Sequence, residues 1–329
     1  MATIHDVARL AGVSSATVSR VINNEDIVSG ETREKVNDAI KKLGYFPNHF
    51  SKNLRTQQSK VFLITISDFK NPFFGAVLKG MDEAAYNLGY QLLVSSHFLK
   101  PEREMKLLKL LNSRRVDGAA LLTPVISKND LSQIAAKYPI VQCCEYLPDL
   151  QVSHVSIHNF NAAYQVMRYF ISKGHKRIAM LSVNNTSVST FDREKAYIKA
   201  HEDFGVKTDQ QLIRRGDDYN FENGMSLTKE LLITNDLPTA VFAISDSLAC
   251  GCIRALSEAK IRVPDDVEVM GFDNINVADM INPPLSTVSQ PMQQIGITAI
   301  NLLASKIYDN SVFHEIYLDH EIVLRKTTI

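Results

Sequence analysis

The strongest constraint on the fold lies in residues 3–23, where two short helical patterns stand on either side of a tight turn. Thr3 and Asp6 have the spacing of an N-terminal cap, and Gly12 falls where the chain must turn sharply. Ser14 can then cap a second helix. The apolar residues at helical spacing are Ala8 and Leu10 in the first helix and Val18, Val21 and Ile22 in the second. Two helices joined in this way predict a helix-turn-helix, whose second helix enters the DNA major groove.

The second helix leaves small polar side chains and one arginine outside its apolar stripe. These residues are Ser15, Ala16, Ser19 and Arg20. A smooth helix N-terminus that carries one arginine suits contact with the edges of base pairs. The bare pattern leaves a second possibility open, a helical hairpin that only packs.

The same stretch resembles the start of the lactose/galactose repressor (LacI/GalR) family, which includes purine and cytidine repressors. The matching positions are Ile4, residues 6–8, residues 11–14 and residues 17–23. The resemblance implies a transcription regulator, a repressor, that binds a palindromic double-stranded DNA operator as a homodimer. It implies Arg20 as the main base contact. The full set of implied DNA-binding residues is Thr3, Ser14, Ser15, Ala16, Thr17, Ser19, Arg20, Asn23 and Leu54.

A third helix, capped by Ser29 and stopped at Gly44, completes an all-α headpiece that we place at residues 1–47. Residues 48–59 are polar, and composition alone favours a linker there. The resemblance implies instead a hinge that becomes helical on DNA and inserts Leu54 into the minor groove. The sequence leaves both interpretations open, and Ser51 stands where the family often has alanine.

From residue 60 onward, strand-like runs alternate with helical stretches, which predicts parallel sheets covered by helices. The predicted strands are 61–67, 90–95, 118–122, 140–144, 177–181, 239–244 and 267–271, and one predicted helix spans 193–204. This many units favour two α/β lobes over one sheet. The resemblance implies a periplasmic-binding-protein-like core at 60–329 whose chain crosses between the lobes three times. Lobe 1 would take about 60–158 and 291–319, and lobe 2 about 161–288 and 322–329.

The cysteine content points to a reducing cytoplasm, and the resemblance implies a bacterial protein that associates with the nucleoid. Residues 1–60 hold nine Lys/Arg against six Asp/Glu, and the remainder holds 27 against 30. A basic head on a mildly acidic body fits a phosphate-binding module. No apolar run approaches the roughly 18 residues of a membrane span, and we expect no export signal. The four cysteines lack metal-binding spacing, so we expect buried thiols and neither a metal nor another cofactor.

Several residues at predicted strand ends could line a ligand cleft between the lobes. Phe73 and Phe74 are either ordinary core or, as the resemblance implies, an aromatic face for a sugar or base. Asp246 either caps a helix or binds ligand, and Ser245 beside it departs from the family's asparagine. Arg193 would lie just before a helix. The effector-binding set implied by the resemblance is Phe73, Phe74, Glu145, Arg193, Asp246, Asp273 and Gln290. Such groups suit a small-molecule effector, a sugar or a nucleoside.

Two other classes compete with the regulator. An exported solute-binding protein shares the two-lobed architecture, but it lacks a DNA-reading headpiece. An enzyme is disfavoured because the sequence has no Walker loop, nucleophile elbow, glycine fingerprint or metal spacing. We therefore expect no enzymatic activity. Some relatives are controlled by a phosphocarrier protein, and the resemblance leaves such a partner open.

Overall fold

A computed structural model describes residues 2–22, 27–45, 58–233 and 237–328. The chain divides into two compact units, Met1–Ser59 and Lys60–Ile329, which are described separately. The predicted hinge residue Leu54 and the predicted DNA contact Asn23 lie outside the described residues.

The N-terminal unit contains three helices, α1 (Ile4–Ala11), α2 (Ser15–Ile22) and α3 (Gly30–Leu43). At the start of α1, Thr3 Oγ1 accepts from the Asp6 N–H at 3.3 Å, and Asp6 Oδ2 accepts from the Thr3 N–H at 2.9 Å. This is the predicted capping box. Gly12 adopts the left-handed conformation with φ of 67°, so the turn occurs where glycine avoids a steric penalty. The Thr17 N–H donates to Ser14 Oγ at 3.1 Å, and this hydrogen bond caps the N-terminus of α2.

A small apolar core holds these helices together. Its buried members are Val7, Ala8, Val18, Val21, Val36 and Ala39. The prediction that Leu10 faces this core was wrong, because its side chain is 51% exposed. At eight residues, α1 has a narrow buried face, and Val7 and Ala8 occupy it.

The first lobe of the larger unit is a six-stranded sheet with the order β11-β5-β4-β3-β1-β2, and all its pairings are parallel. Its strands are β1 (Val61–Ile66), β2 (Gln91–Ser96), β3 (Gly118–Leu121), β4 (Ile140–Cys143), β5 (His154–Ile157) and β11 (Glu315–Leu318). Its helices are α4 (Pro72–Asn87), α5 (Pro101–Asn112), α6 (Lys128–Ala135) and α12 (Met292–Tyr308). Strands β1, β3 and β4 are almost wholly buried, as expected for a sheet covered by helices.

The second lobe has a six-stranded sheet with the order β12-β10-β9-β8-β6-β7. Its strands are β6 (Ile178–Val183), β7 (Ile213–Gly216), β8 (Ala240–Ala243), β9 (Glu268–Asp273), β10 (Ser286–Ser289) and β12 (Glu321–Val323). Its helices are α7 (Asn159–Ser172), α8 (Val188–Asp203), α9 (Phe221–Leu232), α10 (Asp246–Glu258) and α11 (Val277–Met280), with a 3-10 turn at Gln210–Leu212. The short strand β12 is antiparallel to β10, whereas the other pairings are parallel.

The chain passes from one sheet to the other between β5 and α7, between β10 and α12, and between β11 and β12. Helix α8 begins at Val188, five residues before the predicted start. Arg193 therefore lies in the second turn of this helix, and the prediction that it precedes the helix was wrong. Across the described residues, we found no helix with both the length and the apolar character to span a bilayer.

Glycines allow one pair of helices in each lobe to pack in close contact. A Cβ added at Gly80 of α4 would overlap the carbonyl of Gln293, and one added at Gly296 of α12 would overlap the carbonyl of Val77. The pair α9 and α10 repeats this arrangement with Gly224 and Gly251. The backbones of each pair touch, so neither helix can shift without losing this contact.

Candidate functional site

The predicted DNA-reading face lies on α2 and on the turns that precede α1 and α2. Ala16 and Arg20 are exposed, and Ser15 and Ser19 are half-buried. Among the predicted DNA contacts, Thr3, Ser14 and Thr17 take part in the hydrogen bonds at the starts of the two helices. Thr3 belongs to the capping box, and the Ser14 and Thr17 hydroxyls lie 2.9 Å apart at the start of α2. Arg20 is consequently the long, charged side chain that this surface presents.

In the larger unit, a cavity of about 620 Å³ lies between the two lobes. Its walls come from the segments that follow the carboxyl ends of strands in both sheets, where ligands of open α/β sheets bind. Predicted residues that line it are Phe73, Phe74, Glu145, Arg193, Asp273 and Gln290. Six of the seven predicted effector residues therefore lie in one place, although they are far apart in sequence.

Phe73 and Phe74 begin α4 and form one wall. Their ring centroids are 5.8 Å apart with an interplanar angle of 71°, an edge-to-face arrangement. Both rings are more than nine-tenths buried and also belong to the lobe's core. The rings pack against the core and leave a small surface in the cavity, and their role as a face for a ligand stays a prediction.

Arg193 lies at the junction of the lobes and is only 5% exposed. Its Nε and Nη2 donate to Asn159 Oδ1 at 3.1 and 2.8 Å, and its Nη1 donates to the Ile244 carbonyl at 2.6 Å. The guanidinium carbon lies 3.6 Å from the ring centroid of Phe272. These contacts fix the orientation of the guanidinium in the cavity wall.

Two carboxylates share this environment. Gln290 Nε2 donates to Asp273 Oδ1 at 2.7 Å. Burial raises the pKa of Asp273 to about 7, a shift that nearby Arg193 and the Gln290 hydrogen bond partly oppose. Burial also raises the pKa of Glu145, while hydrogen bonds from Ser189 lower it. Both groups are therefore costly to hold as anions away from water, and Arg193 offsets part of that cost.

Glu145 makes a contact between the lobes. It follows β4 of the first lobe, and it accepts hydrogen bonds from the Ser189 hydroxyl and, at 3.2 Å, from the Ser189 N–H at the start of α8 in the second lobe. A carboxylate at a helix N-terminus is stabilised by the unpaired N–H groups there. This contact holds the lobes together across the cavity.

The structure does not bring Asp246 into the cavity, which corrects its assignment to the effector set. Its side chain is fully buried, and it accepts from the Thr287 hydroxyl at 2.5 Å and the Ile275 N–H at 2.8 Å. The helix cap is Ser245, whose Oγ accepts from the Leu248 N–H at 3.3 Å. Asp246 therefore connects α10 with the segments after β9 and in β10, and burial raises its pKa.

Several polar groups in the cavity wall were not predicted from the sequence. Tyr219 Oη lies 2.6 Å from the Thr190 hydroxyl and accepts from Asn185 Nδ2 at 2.8 Å. Other lining residues that were not predicted are Asp68, Asn71, Tyr146, Asn159, Ser189, Asp217 and Asp218. A search of the described residues for clusters of metal-ligating side chains found none.

Comparison with known proteins shows which families have this architecture. The family described as bacterial regulatory proteins, lacI family, matches residues 3–48, and a periplasmic binding protein-like domain matches residues 167–328. The transcriptional repressor CytR of Escherichia coli strain K12 is 33% identical over 99% of this chain and 96% of its own length. The chain belongs to the lacI family of bacterial regulatory proteins. It is a DNA-binding transcription regulator with a helix-turn-helix headpiece and an effector-binding core.

Solved lacI-family structures agree with this assignment. A lac repressor dimer bound to operator and the anti-inducer ONPF has a TM-score of 0.88 and 27% identity, covering 100% of this chain and 99% of its own. A complex of the regulator CelR with cellobiose has a TM-score of 0.75 and 32% identity, covering 99% of this chain and 100% of its own. The predicted fold class, a helix-turn-helix headpiece with a two-lobed periplasmic-binding-protein-like core, is confirmed.

Proposed function

We propose that this lacI-family regulator is a dimeric repressor that binds a palindromic operator and responds to a sugar or a nucleoside in the interlobe cavity. The observation that carries the proposal is the cavity itself. It combines aromatic rings, a fixed guanidinium and carboxylates from both lobes. Aromatic faces with bidentate polar groups are suited to ring compounds rich in hydroxyls.

The mechanism that we propose links the cavity to the DNA through the three crossings between the lobes. A ligand that contacts both walls changes how far the lobes close, because it adds to or competes with the Glu145–Ser189 contact. Lobe movement in each subunit would alter the spacing of the two hinges and thus the placement of Leu54 on DNA. The ligand changes operator affinity only as far as it binds the two states with different affinity.

An enzyme acting on the same ligand class has little support. A carboxylate pair of Asp246 and Asp273 would be its best catalytic arrangement, but Asp246 is held by Thr287 and Ile275 outside the cavity. The relatives named above are regulators. Consumption of a bound sugar or nucleoside by the pure protein would overturn this part of the proposal.

The effector proposal is tested by thermal shift. Purified full-length protein is melted with hexoses, disaccharides and nucleosides, one at a time. A ligand at 100 times its dissociation constant adds about 2.7 kcal/mol to the free energy of unfolding, which raises the melting temperature measurably. We expect at least one compound to do so. If none does, the small-molecule assignment fails and control by a protein partner, such as a phosphocarrier protein, becomes the better proposal.

The DNA proposal is tested with Arg20→Ala. We expect a loss of about 1–3 kcal/mol in operator affinity and weaker discrimination at one base pair in each half-site, because a bidentate contact to guanine would be removed. Affinity is measured by fluorescence anisotropy for the operator and for every single-base variant of a half-site.

Arg9→Ala is the matched control for this variant. Arg9 is an exposed arginine of α1, paired with Asp6, so its removal subtracts the same charge from the headpiece without touching the reading helix. It should weaken binding to all sequences alike. If Arg20→Ala behaves in the same way, the assignment of Arg20 as a base contact is refuted.

A further inference from the structure

The charges of the interlobe cavity are strongly unbalanced. Among its described lining residues are five carboxylates and one guanidinium. The carboxylates belong to Asp68, Glu145, Asp217, Asp218 and Asp273, and the guanidinium to Arg193. Asp217 and Asp218 are exposed, so a ligand that enters meets negative potential before it reaches the buried groups.

Arg193 has few hydrogen-bond donors left for an incoming anion. Three of its five N–H groups already donate to Asn159 and to the Ile244 carbonyl. Its positive charge also faces Glu145 and Asp273, and it lowers the pKa of each carboxyl against the effect of burial. A second anion beside this guanidinium would therefore compete with carboxylates that cannot leave the site.

At two of the helix N-termini that border the cavity, those of α8 and α4, N–H groups already donate within the protein. Helix N-termini are the usual binding places for phosphate. In α8, the Ser189 N–H and hydroxyl donate to Glu145, and the Ser187 N–H donates to Asn185 Oδ1 at 3.0 Å. The protein's own carboxylate thus takes the place that a bound anion would fill.

The N–H groups at the start of α4 are missing or engaged for a different reason. Its first residue is Pro72, which has no N–H, and the Phe73 N–H donates to Asn71 Oδ1 at 3.0 Å. Just upstream, Asp68 Oδ1 accepts from the N–H groups of Lys70 and Asn71 at 2.8 and 3.4 Å. The Phe73 N–H of α4 and the Ser189 N–H of α8 are therefore used within the protein.

We propose that the cavity rejects anions, so that its effector is an uncharged or amine-bearing compound and the phosphorylated or carboxylated form of the same compound is excluded. This inference rests on the proposed function of the cavity and adds a charge rule to it. A carboxyl or phosphate group would enter a site in which five acidic side chains face a single guanidinium. A hydroxyl or an ammonium group would instead find acceptor oxygens.

The test measures dissociation constants by calorimetry for matched pairs. The probes are adenosine and its 5′-monophosphate, cytidine and its 5′-monophosphate, glucose and glucose 6-phosphate, and glucosamine beside glucose. For every probe that binds, we expect the phosphorylated partner to bind more weakly by about tenfold or more, since like charges a few ångströms apart repel strongly in a partly desolvated site. A phosphorylated probe that binds as tightly as its parent overturns the inference and leaves the proposed function standing.

A double variant separates charge from size as the reason for exclusion. Asp217→Asn with Asp218→Asn removes the two exposed carboxylates of the cavity with almost no change in volume. We expect the ratio of the two dissociation constants in a pair to fall by about threefold or more, because two like charges no longer oppose the phosphate.

The matched control is Asp82→Asn with Glu83→Gln, two adjacent exposed acids of α4 outside the cavity. It removes the same net charge and should leave the ratio unchanged. An unchanged ratio in the cavity variant, or an equal fall in the control, overturns the assignment to these carboxylates. If no probe binds at all, the proposed small-molecule function falls, and this inference falls with it.

Discussion

Replacing Arg193 with alanine is expected to abolish the response to ligand while operator affinity without ligand stays unchanged. The variant removes the fixed guanidinium from the cavity wall, and it leaves the Asn159 amide oxygen and the Ile244 carbonyl without their donor. A hydrogen bond to a charged group contributes about 1.5–3 kcal/mol, so we expect ligand binding to weaken by about that amount or more. Calorimetry with the compound found by thermal shift, and operator binding with and without that compound, measure the two quantities.

Lys195→Ala is the matched control on the same helix. Lys195 lies two residues further along α8, is exposed and does not line the cavity. It removes one positive charge from the same helix and should leave both ligand affinity and the operator response as they are. Arg193→Lys separates charge from shape, because it keeps the charge but loses the fork that donates to Asn159 at two points. A normal response in Arg193→Ala would place the effector elsewhere.

Replacing Gly80 with valine is expected to lower the free energy of unfolding by about 3 kcal/mol or more, the upper end of the usual cost of overpacking. A Cβ at this position would overlap the backbone carbonyl of Gln293 on α12. Backbone cannot rotate away as a side chain can, so the two helices would have to separate. Chemical denaturation of the full chain, followed by circular dichroism, measures the loss.

Gly75→Ala provides a control of opposite sign on the same helix. A Cβ at Gly75 would meet nothing within 4 Å, so the substitution only removes the flexibility of glycine from α4. It should raise stability by roughly 0.5–1 kcal/mol. If Gly80→Val unfolds at the wild-type midpoint, the close packing of α4 on α12 is not a source of stability.

Features that depend on neighbouring residues could be predicted from the sequence. The caps at Thr3, Ser14 and Ser29 and the left-handed glycines at positions 12 and 44 form within a few residues of chain, so their sequence signals are complete in themselves. The long helices of the core were predicted for the same reason. The exposure of Leu10 was not predictable, because the choice of face in α1 is made by α2 and α3.

The strands that were missed are short and rich in polar residues. β10 consists of Ser286, Thr287, Val288 and Ser289, yet its first three residues are fully buried. Their polar groups are satisfied at long range. The hydroxyls of Ser286 and Thr328 lie 2.7 Å apart, and the Thr287 hydroxyl donates to Asp246. Burial of such a strand depends on partners some 40 residues away, which no local pattern reveals.

The residues of the cavity wall were predictable where a strand end and a family position coincided. Asp273 and Gln290 are two such residues, and they lie within hydrogen-bond distance of each other. Asp246 follows the same rule yet lies outside the cavity, because its carboxylate is aimed at Thr287. Tyr219 and Ser189 were missed since their presence in the wall depends on which loops meet across the lobes. Whether the cavity residues bind an effector remains a prediction.

The two sheets share the connectivity of five strands, since β1 to β5 of the first lobe correspond in position to β6 to β10 of the second. The sixth strand is parallel in the first lobe and antiparallel in the second. Equivalent strand ends therefore meet across the cavity, yet they carry different chemistry. The turn after β1 supplies Phe73 and Phe74, whereas its counterpart after β6 supplies Ser187 and Ser189.

The carboxylates at the ends of β4 and β9 differ as well, since Glu145 is engaged by Ser189 and Asp273 is held by Gln290. The two halves of the cavity have the same strand arrangement but different side chains, so its two walls are chemically distinct. We therefore expect a flat ring with one apolar face and one hydroxylated edge to bind in one of its two possible orientations.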